Sequence, residues 1–108
     1  MKVLIDNCLP VDLRHKLAGH EAETATYRGW ADKENGDLVD AAVEAGFEII
    51  LSIDHGQDFA KAVKGKGIAA VLLPGSQGSR LDDVLPLVDK ILAAIPTARQ
   101  GAITRVKP

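Results

Sequence analysis

The sequence predicts a three-layer α/β/α sandwich built on a mainly parallel sheet of four to five strands. Short apolar runs rich in branched residues alternate along the chain with segments whose apolar residues recur at helical spacing. Glycines end several of these segments, as expected where one element stops and the next begins. With 108 residues, of which 46% are hydrophobic, the chain is expected to fold as one domain over residues 1–108.

The first predicted strand covers residues 2–6 (KVLID), an apolar run that ends in an acid. Pro10 then opens a helical segment that Gly19 ends, which is the usual order of these two residues around a helix. Residues 21–27 alternate in polarity and predict a second strand, and a polar loop over residues 28–36 follows it.

The third predicted strand, residues 47–53, is the most apolar segment and is therefore expected at the centre of the sheet. A helix over residues 37–45, ended by Gly46, precedes it. The later elements continue the alternation and are, in order, a short helix through Phe59 and Ala62, a strand over residues 67–73, a turn over residues 74–79, a helix over residues 80–95 and an edge strand over residues 101–106.

Two predicted strands end in an acid, the first in Asp6 and the third in Asp54. The carboxyl ends of parallel strands meet at one edge of a sheet, where binding sites form, so we expect these two side chains to be neighbours. Neighbouring carboxylates repel unless one is protonated or a cation lies between them. The pair is therefore expected either to bind a metal ion or to cost stability.

Further acids are expected at the same edge. Asp58 lies one helical turn after Asp54, and Asp37, or Glu34, lies at the start of the second helix. Four converging acids would suit Mg²⁺ or Mn²⁺, which take oxygen ligands. A cation held in this way can activate water and stabilise the in-line displacement of a phosphodiester.

The segments LIDNCLP, GDLVDAAVEAG and FEIILSIDHGQDF together resemble the bacterial PIN-like domain proteins of the uncharacterised type. The resemblance covers roughly residues 1–75. It implies a three-layer α/β fold, Mg²⁺- or Mn²⁺-dependent ribonuclease activity on RNA, and often the role of toxin in a toxin–antitoxin pair. An antitoxin partner and a homodimer are further expectations from the family.

The resemblance also assigns roles to single residues. The catalytic and metal-binding acids that it implies are Asp6, Asp37, Asp54 and Asp58. Ser52 matches a small hydroxyl residue two positions before the acid of the third strand, and Asn7 falls where many relatives have a second polar residue. With His55, which adjoins Asp54 and is a candidate for contact with phosphate, these are the candidate substrate-binding residues.

Simpler structural roles are open for the same residues. Asp6 and Asp54 could each cap a helix, since aspartate is a favoured N-cap. Ser52 is a natural partner for a structural hydrogen bond. Trp30 either stacks on a base or covers the core from its loop, and Cys8 fits a small buried position.

The formal net charge of −2 gives no support by itself to a nucleic-acid or membrane partner. Any contact with RNA is therefore expected to be local or to depend on metal ions. The single cysteine excludes an internal disulfide. No leader-like segment opens the sequence, and no apolar run approaches the ~20 residues that a membrane helix needs, so we predict a cytoplasmic protein.

A phosphoacceptor receiver domain is the rival interpretation. Receivers share the flavodoxin-like sheet, and Asp6, Asp54, Ser76 and Lys107 with Pro108 could fill their acid, phosphoacceptor, hydroxyl and lysine positions. Against it, receivers usually have tandem acids at the first strand and a final helix that the sequence does not predict. A catalytically inactive PIN-like scaffold that only binds a partner is a third interpretation.

Overall fold

A computed structural model describes residues 1–75, 78 and 80–107. Five strands form one sheet: β1 (Lys2–Ile5), β2 (Glu21–Thr24), β3 (Ile49–Ser52), β4 (Ala69–Leu72) and β5 (Ile103–Arg105). Their order across the sheet is β2-β1-β3-β4-β5, and every neighbouring pair is parallel. The predicted α/β fold class is confirmed, with β3 at the centre and β5 at an edge.

The helices of the described residues are α1 (Asn35–Glu44), α2 (Gln57–Val63), α3 (Leu81–Val84) and α4 (Val88–Ala94). Short 3-10 helices occur at Val11–Lys16, Leu85–Leu87 and Ile95–Thr97. None of the helices in the described part of the chain is long and apolar enough to cross a membrane.

The two faces of the sheet carry separate apolar cores. Val3, Ile5 and Leu51 pack on one face with the first 3-10 helix and with α3 and α4. Leu4 and Ile50, the intervening residues, pack on the other face with α1 and α2. This alternation follows from the two-residue repeat of a strand, and it produces the predicted three layers.

Two segments differ from the sequence-based expectation. The helix expected after Pro10 is a single 3-10 helix that ends at Lys16. The long helix expected over residues 80–95 is interrupted by 3-10 segments that contain Pro86 and Pro96. Proline lacks the N–H that would continue an α-helix. The prediction of helical segments with an apolar face was therefore correct, whereas the prediction of one continuous helix was wrong. Ser76 and Pro108, which the receiver interpretation uses, lie outside the described residues.

The end of α1 offers a test of backbone conformation. Gly46 follows the helix with a φ of +87°, a conformation that side chains disfavour, whereas Gly36 lies within the helix with open space where a Cβ would be. Gly46→Ala is therefore expected to lower the free energy of unfolding by about 1 kcal/mol or more. Gly36→Ala, the matched control, should raise it by about 0.5 kcal/mol because it restricts the unfolded chain. Urea denaturation measures both, and a change of the same sign in the two variants would contradict this interpretation.

Candidate functional site

Asp6 lies directly beyond β1, where its backbone still belongs to the sheet. Its N–H donates to the Leu51 carbonyl at 2.9 Å, so the carboxylate is held next to β3. The side chain is buried, with 7% exposure. One carboxylate oxygen accepts the N–H of Asn7 at 2.8 Å, and the other accepts the hydroxyl of Ser52 at 2.7 Å. The acid at the end of the first strand is thus fixed in orientation by its neighbours.

Ser52 is the fully buried link between the two strand-end acids. Its Oγ donates to Asp6 and accepts the backbone N–H of Asp54 at 3.0 Å. The thiol of Cys8 lies 3.8 Å from the same oxygen. Because the one hydroxyl proton is given to Asp6, the thiol is the donor in this contact. Ser52 therefore makes the structural hydrogen bonds expected of it, and its side chain is fully buried.

Asp54 lies two residues beyond β3, in the short connection to α2. Its Oδ1 accepts the N–H of Gly56 at 2.8 Å, and its Oδ2 accepts the side-chain amide of Asn35 at 3.3 Å. A Cβ at Gly56 would lie 2.9 Å from Asp54 Oδ1, so glycine leaves room for this carboxylate. The first turn of α1 and the start of α2 together determine where Asp54 points.

Asp6 and Asp54 line one cavity of about 340 Å³ at the carboxyl edge of the sheet. The cavity opens between the ends of β1 and β3, where the strand order reverses and where open α/β sheets bind their ligands. The other lining residues are Asn7, Cys8, Trp30, Lys33, Asn35, Leu38 and Ile53. Lys33 makes no ion pair with any described residue, so its charge is available at the rim.

The carboxylate oxygens that line the cavity are the type of ligand that a hard cation takes. Each carboxylate oxygen of Asp6 and Asp54 accepts one hydrogen bond from a described residue, and a carboxylate oxygen has two lone pairs. One acceptor position on each oxygen therefore stays open for a ligand. Mg²⁺ is commonly held by one or two carboxylates with water completing its coordination, so the chemistry of these two side chains is compatible with such an ion.

The expected convergence of Asp37 and Asp58 on the same crevice is not observed. Among the described residues, no group of three or more His, Cys, Asp or Glu side chains is placed to hold a metal ion. Asp58 lies in an adjoining groove with Glu34 and Lys61, and Asp37 is an exposed residue that does not line the cavity.

Local helix boundaries explain this difference. Helix α2 begins only at Gln57, after Gly56, so Asp54 and Asp58 do not occupy successive turns of one helix. Helix α1 begins at Asn35, two residues earlier than predicted, and this places Asn35 rather than Asp37 against the strand ends.

The other two candidate substrate-binding residues have defined contacts. The side chain of Asn7 is exposed and donates to the Ala31 carbonyl at 2.8 Å, which joins the end of β1 to the loop after β2. The Nε2 of His55 donates to the Leu73 carbonyl at 2.7 Å, and its Nδ1 accepts from Arg105 at 2.8 Å. Both ring nitrogens are thus engaged, and His55 braces the loop instead of presenting a free imidazole.

Sequence reasoning missed Asn35 and Lys33 as residues of the cavity. Their position in the sequence indicated such a role, because both lie just before the apolar residues of α1. The N-terminus of a helix at this point is expected to lie near the carboxyl edge of a parallel sheet. The acids of that segment were interpreted as metal ligands, whereas the residues of the segment that line the cavity are Asn35, an amide, and Lys33, a cation.

Burial raises the pKa of the Cys8 thiol above its ordinary value, and the charge of Asp6 acts in the same direction. The thiol is therefore protonated at neutral pH and is not an activated nucleophile. We expect iodoacetamide to alkylate Cys8 more slowly in the folded protein than in urea at the same pH.

The same pKa shift has a consequence for stability. A thiol whose pKa is raised on folding contributes stability below its unfolded pKa and loses that contribution as the pH rises through the folded value. The free energy of unfolding is expected to fall at alkaline pH, and less so in Cys8→Ala. An equal alkaline decline in both proteins, or equal alkylation rates in folded and unfolded chains, would contradict this.

Comparison with family models, with curated proteins and with solved structures finds no match to this chain.

Proposed function

We propose that this protein is a Mg²⁺- or Mn²⁺-dependent ribonuclease whose site is formed by Asp6 and Asp54. The observation that carries the proposal is that two carboxylates from the ends of adjacent parallel strands line one cavity. Two carboxylates that line the same cavity favour a cation there. The resemblance of the sequence to PIN-like proteins supports the same function.

In this proposal the chain holds and orients the reacting groups. Asp6 and Asp54 bind the cation, Ser52 and Asn35 fix the two carboxylates, and Lys33 attracts the phosphate at the rim. When bound, the ion supplies an activated water and stabilises the charge that develops on the phosphodiester. Two carboxylates favour a site with one ion.

The wider role follows from the resemblance. As a PIN-like protein, the chain would be a cytoplasmic toxin of a toxin–antitoxin pair, with an antitoxin protein as partner and a homodimer as its assembled state. These expectations rest on the motifs LIDNCLP and FEIILSIDHGQDF.

Metal removal tests the proposal. Titration calorimetry is expected to detect one Mn²⁺ per chain, and single-stranded RNA should be cleaved with Mn²⁺ or Mg²⁺ and not with EDTA. Cleavage that persists in EDTA, or the absence of both Mn²⁺ binding and cleavage, would reject the ribonuclease.

A receiver-type phosphoacceptor is the second candidate, because the strand order β2-β1-β3-β4-β5 is the flavodoxin-like order. Asp54, beyond the central strand, would then accept the phosphoryl group. Incubation with a small-molecule phosphodonor and Mg²⁺ should in that case add phosphate to wild-type protein and not to Asp54→Asn. If neither phosphorylation nor cleavage occurs, a PIN-like scaffold that binds a partner is what remains.

A further inference from the structure

The loop over residues 25–34 forms one side of the cavity and presents an aromatic ring in a fixed position. Trp30 and Phe47 make a T-shaped contact, with ring centroids 6.0 Å apart and an interplanar angle of 75°. The guanidinium of Arg28 lies 4.9 Å from the centroid of the indole. The backbone N–H of Trp30 donates to the Ala25 carbonyl at 2.9 Å, which closes the turn. The indole is therefore oriented before any ligand arrives.

The walls of the cavity differ in chemistry. Trp30, Leu38 and Ile53 provide apolar surface, and Asn7 and Asn35 provide amides. No described residue donates to the side-chain oxygen of either asparagine, so both oxygens remain acceptors for a ligand. A flat apolar ring with polar groups at its edge matches this combination, which is the chemistry of a nucleobase.

The charges of the cavity favour a nucleotide over a free base. Lys33 lies at the rim without an ion pair to any described residue, and Asp6 and Asp54 are placed for a cation. Both features attract a phosphate, the first directly and the second through its cation. The cavity thus offers a nucleotide an apolar wall for its base and a charged side for its phosphate.

We propose that this cavity binds one unpaired nucleotide of single-stranded RNA, with its base against Trp30 and its phosphate near Lys33. The proposal rests on the ribonuclease function for the identity of the strand. A volume of about 340 Å³ is near the lower end for small-molecule sites and accommodates one nucleotide unit, not a duplex. A base held in a helical stack does not reach such a cavity, so the bound residue is unpaired.

Trp30 is the only tryptophan of the chain, so its fluorescence reports directly on the proposed contact. Titration with a short single-stranded RNA, in EDTA and separately in Mg²⁺, is expected to quench this fluorescence saturably in at least one buffer. The same RNA annealed to its complement should bind at least about tenfold more weakly. Absence of quenching in both buffers, or equal binding of the duplex, would overturn the proposal. Equal affinity for a mononucleotide would show that the ligand is a free nucleotide and would also overturn it.

Variants separate stacking from charge. Trp30→Ala is expected to weaken binding of a labelled RNA about tenfold, and Trp30→Phe, which retains a ring, by less. Thermal unfolding of both variants controls for the loss of packing against Phe47. If folded Trp30→Ala binds RNA as tightly as the wild type, the base does not lie on the indole.

Lys33→Gln tests the phosphate contact, and it should not disturb the packing of the core because Lys33 is exposed. It should reduce the slope of log affinity against log salt by about 0.7, the value for one phosphate contact of a single strand. Lys64→Gln makes the same charge change at the far end of α2 and should leave the slope unaltered. An equal effect of both variants would mean that the attraction is not local to the cavity.

Failure of this proposal and failure of the ribonuclease can be told apart by following cleavage in the same samples. Cleavage of RNA without any change in Trp30 fluorescence would overturn the base-binding cavity and leave the nuclease. Saturable quenching without cleavage would retain the cavity and reject the nuclease.

Discussion

If the proposed ribonuclease function is correct, replacing Asp6 with asparagine is expected to abolish metal-dependent cleavage of RNA, with a loss of at least about 100-fold, because a neutral amide replaces a carboxylate of the proposed cation site. Changes in the groups that merely orient a ligand already cost 10- to 100-fold in metal affinity, so loss of the ligand itself should exceed that range. Asp54→Asn should behave in the same way. The amide oxygen can still accept the Ser52 hydroxyl, and the N–H that loses its acceptor belongs to the exposed Asn7, so the fold should survive.

Asp37→Asn is the matched control for these variants. It makes the same change of charge at an exposed position in the first turn of α1, away from the cavity. Calorimetry with Mn²⁺ and RNA cleavage assays should show wild-type behaviour for Asp37→Asn and loss for the other two. Loss of activity in Asp37→Asn at unchanged stability would restore the four-acid site expected from the sequence.

The second large effect is expected at Ser52, where alanine would remove three contacts at once. Asp6 loses a hydroxyl donor, and the Asp54 N–H and the Cys8 thiol each lose an acceptor, at a position that is fully buried. A buried polar group without a partner costs about 1–3 kcal/mol, so the free energy of unfolding should fall by that amount in urea denaturation. Because the Asp6 carboxylate loses a donor that orients it and the backbone of Asp54 loses its acceptor, Mn²⁺ affinity should fall about 10- to 100-fold.

Thr97→Ala provides the comparison for Ser52→Ala. It also removes a hydroxyl hydrogen bond, to the Ala94 carbonyl at 2.7 Å, but at an exposed position. Its effect on stability should stay within about 0.5 kcal/mol, and Mn²⁺ affinity should not change. A similar loss of stability in both variants, with unaltered Mn²⁺ affinity in Ser52→Ala, would show that Ser52 does not orient the two acids.

The sheet and the position of Asp6 and Asp54 at the same edge could be predicted because they depend on short local patterns in the sequence. Branched apolar runs mark buried strands, and a common strand direction brings their ends to one edge. The most apolar run, around Ile50 and Leu51, became the central strand, since burial on both faces demands apolar residues at every position. Neither inference needed a contact to be known in advance.

The positions of Asp37 and Asp58 outside the cavity could not be predicted, because they depend on where helices begin and end. A shift of two residues at the start of α1 exchanges Asp37 for Asn35 beside Asp54, and periodicity does not fix a terminus that closely. The start of α2 after Gly56 likewise moves Asp58 into a neighbouring groove. The bond between His55 and Arg105 joins a loop to the edge strand, and no local pattern in the sequence indicates it.

The parallel pairing of all five described strands also determines when during folding the two acids meet. Each parallel pair must close a long loop before its first ladder hydrogen bond forms, and the β1–β3 pair, with Val3 opposite Ile49, closes the longest. The bond from Ser52 to Asp6 spans 46 residues of chain. Topologies with such distant pairings fold slowly. A nascent or partly folded chain in which β1 has not docked therefore lacks the paired acids, so any cation affinity would arise late and would report that folding is complete.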